Sequence, residues 1–197
     1  PNLQCRIEQS VITSEATARS LVDCDLIFGC TDDNAGRLVL SRLSSYILIP
    51  VIDCGVLLSS GEDNLLTGIN CRVTVLYPGA ACLQCRGRVD MTRAGAEMLP
   101  AGDRDRLANE GYAPALGGAE PAVVPFTTMV GAVAVSELLE RLIGYGVEPA
   151  PNEVLLRCHD REISTNIAAP SENHFCHPDN GKLGAGITVP FLGEYGV

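Results

Sequence analysis

Three short stretches carry side chains whose types and spacing suit chemistry. The first is CLQC, residues 82–85. Cys82 and Cys85 stand at the spacing at which two thiolates share one tetrahedral Zn2+. The second is HFCHPDNG, residues 174–181, which offers His174, Cys176, His177 and Asp179. Cys176 is the natural third ligand. For the fourth, His174 shares a side with Cys176 in an extended stretch, because side chains alternate along it. Asp179 instead repeats the three-residue spacing of a knuckle, and His177, adjacent to Cys176, fits worst. The expected metal set is therefore Cys82, Cys85, Cys176 and His174, with Asp179 and His177 as the competing fourth donors. A redox CxxC is the other use of such a pair, but that motif opens a helix in a thioredoxin-like unit, and nothing around residue 82 resembles one.

The third stretch is GCTDDNAGR, residues 29–37, at the exit of an apolar run. In an open α/β sheet, ligands bind outside the carboxyl ends of the strands. A carboxylate there, Asp32 or Asp33, holds Mg2+ against nucleotide phosphates or else caps the helix that follows. Taken alone, the pair favours capping, and Arg37 alone is a solvated helix residue. The pair Thr127–Thr128 in PFTTMVG reads as packing and capping at a helix start.

These residues need elements to hold them. DLIFGC (25–30) and IPVIDCGV (49–56) are short, continuously apolar runs, as in parallel strands buried on both faces. Between them NAGRLVLSRLSSYI (34–47) places apolar residues at 35, 38, 39, 43 and 46, one stripe of a helix. QCRIEQSVI (4–12) reads as a strand and TSEATARSLV (13–22) as a helix. Residues 4–56 thus follow βαβ logic. GINCRVTVLYPG (68–79) alternates and predicts an antiparallel strand. Residues 86–121 have no lasting period and predict a long crossover loop. PFTTMVGAVAVSELLERLIG starts with Pro125 and ends with Gly144, good start and stop signals for a helix. It is apolar nearly all round to residue 135, so it should be buried or cover a partner. NEVLLRCHDREISTNIA predicts two short strands turning at Asp160, and 170–197 looks irregular.

The chain has 197 residues, net charge −10, 46% hydrophobic and 19% charged residues. That is a globular composition long enough for a single domain with a real core. The acidic balance argues against nucleic acid or an anionic membrane as partner. No apolar run approaches the ~20 residues that span a bilayer. Nine cysteines, an odd number, several of them inside apolar runs, read as reduced thiols in a cytoplasmic protein.

In order, DCDLIFGCTDDNAGR, IPVIDCGV, CRVTVLYPG, CLQC, a long crossover, FTTMVGAVAVSELL and a C-terminal cysteine knuckle resemble the ubiquitin-activating enzyme superfamily. Its bacterial members are the ThiF, MoeB and HesA adenylyltransferases. The resemblance covers roughly residues 15–180 and implies a Rossmann-like, mostly parallel sheet with helices on both faces, extended by antiparallel strands and a zinc knuckle. It implies ATP with Mg2+ as cofactors, structural Zn2+, a homodimer to which the apolar helix 125–143 contributes, and a ubiquitin-like or sulfur-carrier protein as substrate. Asp32 then matches the metal-coordinating, catalytic aspartate, because it keeps the five-residue offset to Arg37. Arg37 falls with it on the cofactor side, and Asp33 keeps the capping role. Family members usually carry four cysteines in the knuckle, so CHPD is a departure. The family's Gly-rich phosphate loop, ribose-binding acid, and catalytic arginine and lysine lie before the strand at residue 4. No GxGxxG occurs in 197 residues. The expectation is that this chain is the C-terminal part of an adenylation domain and binds ATP poorly by itself, since no Gly-rich turn presents N–H groups to phosphates. Residues 86–157 contain no cysteine, so adenylation without a crossover thioester is expected. The alternative is a non-catalytic partner subunit of the same superfamily.

Overall fold

The computed structural model describes residues 3–61, 65–111, 123–146 and 148–186. Five strands form one sheet in the order β1 (Ile27–Gly29), β2 (Val51–Ser60), β3 (Leu66–Leu76), β4 (Glu153–Arg157), β5 (Glu162–Asn166). β1 and β2 pair in parallel, with Gly29 opposite Asp53. The remaining pairs, β2–β3, β3–β4 and β4–β5, are antiparallel. The fold is mixed α/β, and its parallel part among the described residues is the single β1–β2 pair. Residues 3–13 form no strand; Leu3, Ile7 and Val11 stand exposed, and none of them has a described strand to pair with.

Period-2 alternation sorts β2 between the two faces of the sheet. Val51 joins a cluster with Leu38, Val39, Leu40, Leu43, Tyr46, Leu76 and Leu83. Ile52 joins the opposite one, with Cys71, Val73, Val75, Val130, Ala134, Val154 and Leu156. The first face is covered by α2 (Asn34–Arg42) and the π-helical turn Leu43–Ile47 that continues it. Together they span the predicted helix 34–47, and all five residues of its stripe are buried. The second face is covered by α5 (Val124–Ile143), which ends at Gly144 in the left-handed conformation that glycine adopts without strain. Only one side of α5 is covered: Val135, Leu139, Leu142 and Ile143 are exposed among the described residues.

Gly29 sets how closely α2 approaches β1. A Cβ built there lies 2.6 Å from Leu40 Cδ1. Leu40 is fully packed, so it has nowhere to retreat. Gly29→Ala should therefore cost about 1–3 kcal/mol, the range for overpacked cores, in chemical denaturation. A loss below 0.5 kcal/mol, roughly the size of a neutral surface change, would mean that α2 slides freely on β1.

The stretch read as a crossover loop contains two short helices, α3 (Met91–Met98) and α4 (Ala101–Asn109), with residues 112–122 outside the described part. Helices of eight or nine residues are marginal alone and need docking. α3 obtains it by burying Ala94 and Ala96 and by packing along α2. α1 (Glu15–Ser20) is capped by Ser14. No helix among the described residues is long and apolar enough to cross a membrane.

Candidate functional site

The loop 30–33 leaves the carboxyl end of β1 and enters α2. Asp33 caps α2, its Oδ1 accepting the Gly36 N–H. That occupies one of the four N–H groups that a helix start leaves unpaired. Asp32 is exposed and makes no hydrogen bond or ion pair with the described residues. An unengaged carboxylate at the carboxyl end of a parallel strand suits a hard cation such as Mg2+. The loop is also held from the crossover: Glu97 of α3 accepts from the Ala35 N–H at 2.8 Å, and Asn34 Oδ1 accepts from the Asp90 N–H at 2.9 Å.

Arg37, expected on the cofactor side with Asp32, is half-buried. It turns into the sheet, its Nε 3.8 Å from Asp53 Oδ1. Asp53 is fully buried on β2, and Arg72 of β3 donates to its Oδ2 at 2.5 Å. Gly55 makes room for Arg72, whose Nη2 lies 3.0 Å from the position of a Cβ there. Burial pushes the Asp53 carboxyl up, against the pull of Arg72 and Arg37. Burial also pushes the Arg72 guanidinium down, Asp53 opposing and the like charges of Arg37 and Arg88 adding to it. Further along the same face, Glu153 of β4 is buried and bonded to Arg88 twice, to Thr74 Oγ1 at 3.1 Å and to Asn166 Nδ2 at 2.7 Å. Burial raises the Glu153 carboxyl, but these bonds together with Arg86 outweigh it and hold it low. Sequence reasoning did not reach Asp53, Arg72, Arg86, Arg88 or Glu153. The available signal is an acid inside the apolar run IPVIDCGV and the arginine interrupting CRVTV.

The distant cysteines do meet. Sγ of Cys82, Cys85 and Cys176 and a ring nitrogen of His174 all lie within 4.8 Å of one another. Cys85 and Cys176 sulfurs are 3.6 Å apart, and His174 Nδ1 is 3.6 Å from Cys82 Sγ and 3.2 Å from Cys176 Sγ. A tetrahedral Zn2+ with bonds of about 2.0–2.3 Å sets its ligand atoms about 3.5–3.8 Å apart, so the cluster is close to the size that it needs. His174 Nε2–H donates to Gln84 Oε1 at 2.9 Å, which leaves Nδ1 as the free donor, and the Ser171 N–H points at Cys85 Sγ at 3.4 Å. Such outer partners orient metal ligands. The bond from Cys82, helped by Ser171, brings Cys85 down to about 4. The same thiol, helped by His174, brings Cys176 to about 6, while Cys82 itself is pushed up. Burial lowers the His174 imidazole, but the bond to Cys176 and the charge of Cys85 outweigh it and raise it. The competing donors are elsewhere: His177 Nδ1 accepts from the Asp179 N–H, and Asp179 is exposed. They line, with Glu172, Asn173 and Asn180, an open cleft of about 330 Å3 that none of the four cluster residues lines. Phe175, between two ligands, packs 6.0 Å from Tyr46 and 5.2 Å from the Arg42 guanidinium, which ties the knuckle to the α2 layer.

The strand cysteines differ. None of the nine cysteines is in a disulfide. Burial and the neighbouring Cys30 push Cys54 up to about 12, and burial with Cys158 does the same to Cys71. Thiols held that far up are inert at neutral pH.

Residues 1–177 match the ThiF family. No curated protein matches the sequence. Among solved structures, E. coli MccB, crystallised with succinimide, has the same fold, with a TM-score of 0.51 and 12% identity. The overlap covers 82% of this chain and 42% of MccB, so the chain spans less than half the length of that protein. The family match takes in both the Asp32 loop and the cysteine knuckle, and the chain belongs to the ThiF family.

Proposed function

We propose that these residues serve an ATP-dependent adenylyltransferase that activates the C-terminal carboxylate of a small ubiquitin-like or sulfur-carrier protein. The carboxylate oxygen attacks the α-phosphorus of ATP, a new acyl–phosphate bond forms, and the bond to pyrophosphate breaks. The single observation that carries the reading is Asp32: an exposed carboxylate with no partner among the described residues, at the carboxyl end of β1, in a chain of the ThiF family. Mg2+ held there supplies charge neutralisation to the phosphoryl oxygens. Asp33 and Glu97 hold the loop that presents Asp32. Cys82, Cys85, His174 and Cys176 hold a structural Zn2+, since four protein donors leave no open position for substrate. The activity is that of the whole protein in which this chain stands.

Asp32→Asn should lower ATP–pyrophosphate exchange by about 10²–10³-fold, the scale of losing one preorganised charge contact in a transition state. Melting should not move, because Asp32 bonds to nothing in the described fold. Retained exchange removes Asp32 from the chemistry. No exchange by the unsubstituted protein would replace the reading with a non-catalytic partner subunit.

A further inference from the structure

Glu97 stands where its own helix does not favour it. It is the last residue but one of α3, and a carboxylate in a last turn opposes the helix dipole. Its partner Arg93, whose Nε donates to Glu97 Oε1 at 3.3 Å, lies four residues before it, the weaker order for such a pair. The gain lies in α2. Glu97 Oε2 accepts the Ala35 N–H at 2.8 Å, and Oε1 accepts from Asn34 Nδ2 at 3.4 Å. Ala35 is the second residue of α2, whose first turn contains no acid of its own. The N–H groups of that turn have no acceptor within the helix. Asp33 fills the one on Gly36 and Glu97 the one on Ala35. The Glu97 side chain is 12% exposed, against 46% for Arg93, so the contact is shielded from water.

The two helices are latched in both directions. Asn34 Oδ1 accepts the Asp90 N–H at 2.9 Å, and Asp90 caps α3 by accepting the Arg93 N–H at 3.0 Å. The start of α2 and the length of α3 thus form one unit, which begins at the residue after Asp32. Asp32 has no partner among the described residues, and neither has the buried Thr31 hydroxyl. The loop 30–33 is therefore held from its ends, by the pairing of Gly29 with β2 and by the start of α2.

We propose that Glu97 is a positioning residue for Asp32, and that through it the docking of α3 on α2 sets how the Asp32 carboxylate is presented. Without the Glu97 carboxylate the Ala35 N–H and the Asn34 amide lose their acceptor, and the first turn of α2 frays with Asp32 attached to it. Mg2+ demands near-ideal octahedral geometry, so a displaced carboxylate is a poorer ligand. The role of Asp32 rests on the adenylation reading; the latch itself does not.

The test uses Glu97→Ala, Glu97→Gln and Asp32→Asn in the full chain. In ATP–pyrophosphate exchange, Glu97→Ala should lower the maximal rate about tenfold, part of the 10²-fold that a misplacement of about 1 Å costs. It should also raise the Mg2+ concentration that gives half the maximal rate. Glu97→Gln, whose amide oxygen still accepts the Ala35 N–H, should recover most of both. Added to Asp32→Asn, Glu97→Ala should cost nothing further, because it acts through Asp32. A merely structural contact would lower melting and the active fraction and leave the Mg2+ midpoint in place. An unmoved midpoint, or losses that multiply in the double variant, overturns the positioning role. Amide hydrogen exchange reads the latch without activity: Glu97→Ala should speed exchange at the Ala35 N–H about tenfold or more and leave α5 unchanged, as local opening does. If Glu97→Ala does not fold, Glu97→Asp, one methylene too short to reach, takes its place. If the unsubstituted protein shows no pyrophosphate exchange, the adenylation reading falls and the Ala35 N–H decides: faster exchange keeps the latch, and unchanged exchange overturns it.

Discussion

Stripped of zinc by a strong chelator, the protein is expected to release residues 171–186 and to melt about 10–20 °C lower. The cluster consists of two cysteines from a turn after β3 and two donors some ninety residues later. Without a metal, three sulfurs and an imidazole share few protons in a half-buried space, and two of the thiols are already drawn toward thiolate. Zinc bound there would remove that conflict and close the long loop between residues 85 and 174. Structural zinc sites release about 10–16 kcal/mol on binding in zinc-finger peptides. Here Leu83 and Phe175 of the knuckle pack against the α2-side core cluster and hold part of it without metal, so only part of that, about 5 kcal/mol, should appear in global stability; at about 2–4 °C per kcal/mol this gives the stated shift. Phe175 should leave Tyr46 and Arg42, which limited proteolysis near residue 171 would detect. Cys85→Ser should behave like the chelated protein, and His174→Cys should keep the metal, because sulfur also suits the site. Less than half an equivalent of zinc per chain, or a melting curve that chelation leaves unmoved, would remove the metal from the structure.

Arg86→Ala is expected to cost about 3–5 kcal/mol, the scale for breaking one side of a buried charged network. Arg86 is 2% exposed. It donates to Ala81 O at 3.2 Å, to Asn166 Oδ1 at 2.8 Å and to Asn152 Oδ1, and approaches Glu153 Oε2 at 3.5 Å. Alanine leaves the half-buried Asn166 amide oxygen and the Ala81 carbonyl without this donor, leaves Asn152 Oδ1 only the Ala168 N–H, and deprives a buried carboxylate of one of its two cations. Glu153 also gives the effect a pH signature. Its carboxyl is held below the ordinary value, so its contribution is complete above the usual carboxylate range and is lost as pH falls through the lowered one. The destabilisation by Arg86→Ala should therefore be largest near neutral pH and shrink in acid. A loss under 1 kcal/mol at pH 7, or one independent of pH, would show that Arg88, Thr74 and Asn166 satisfy Glu153 without Arg86.

The elements that sequence periodicity reveals are those whose own burial pattern is strong. The stripe Ala35, Leu38, Val39, Leu43, Tyr46 and the apolar run of IPVIDCGV each state which side faces a core, whatever they pack against. Pro125 and Gly144 bracket α5 for equally local reasons of backbone geometry. α3 and α4 are too short for a lasting pattern, and α3 depends on the surface it docks to, α2. The stretch 4–12 fails in the opposite way: it alternates well enough for a strand, but a strand needs a neighbour to pair with, and none of the described strands takes that place.

The same division runs through the sites. Cys82 with Cys85, and His174 with Cys176, declare themselves by residue type and short spacing, which are properties of a few residues close together in the chain. Asp32 is set apart from Asp33 only by the resemblance to the family motif that keeps its offset to Arg37. The choice of His174 over Asp179 and His177 depends on which side chain the turn at 171–177 points inward, and the Arg37–Asp53–Arg72 group depends on strand register. Register sets Gly29 against Asp53 and Gly55 against Arg72. Charges more than thirty residues apart become neighbours only when the sheet forms, so no local pattern announces them.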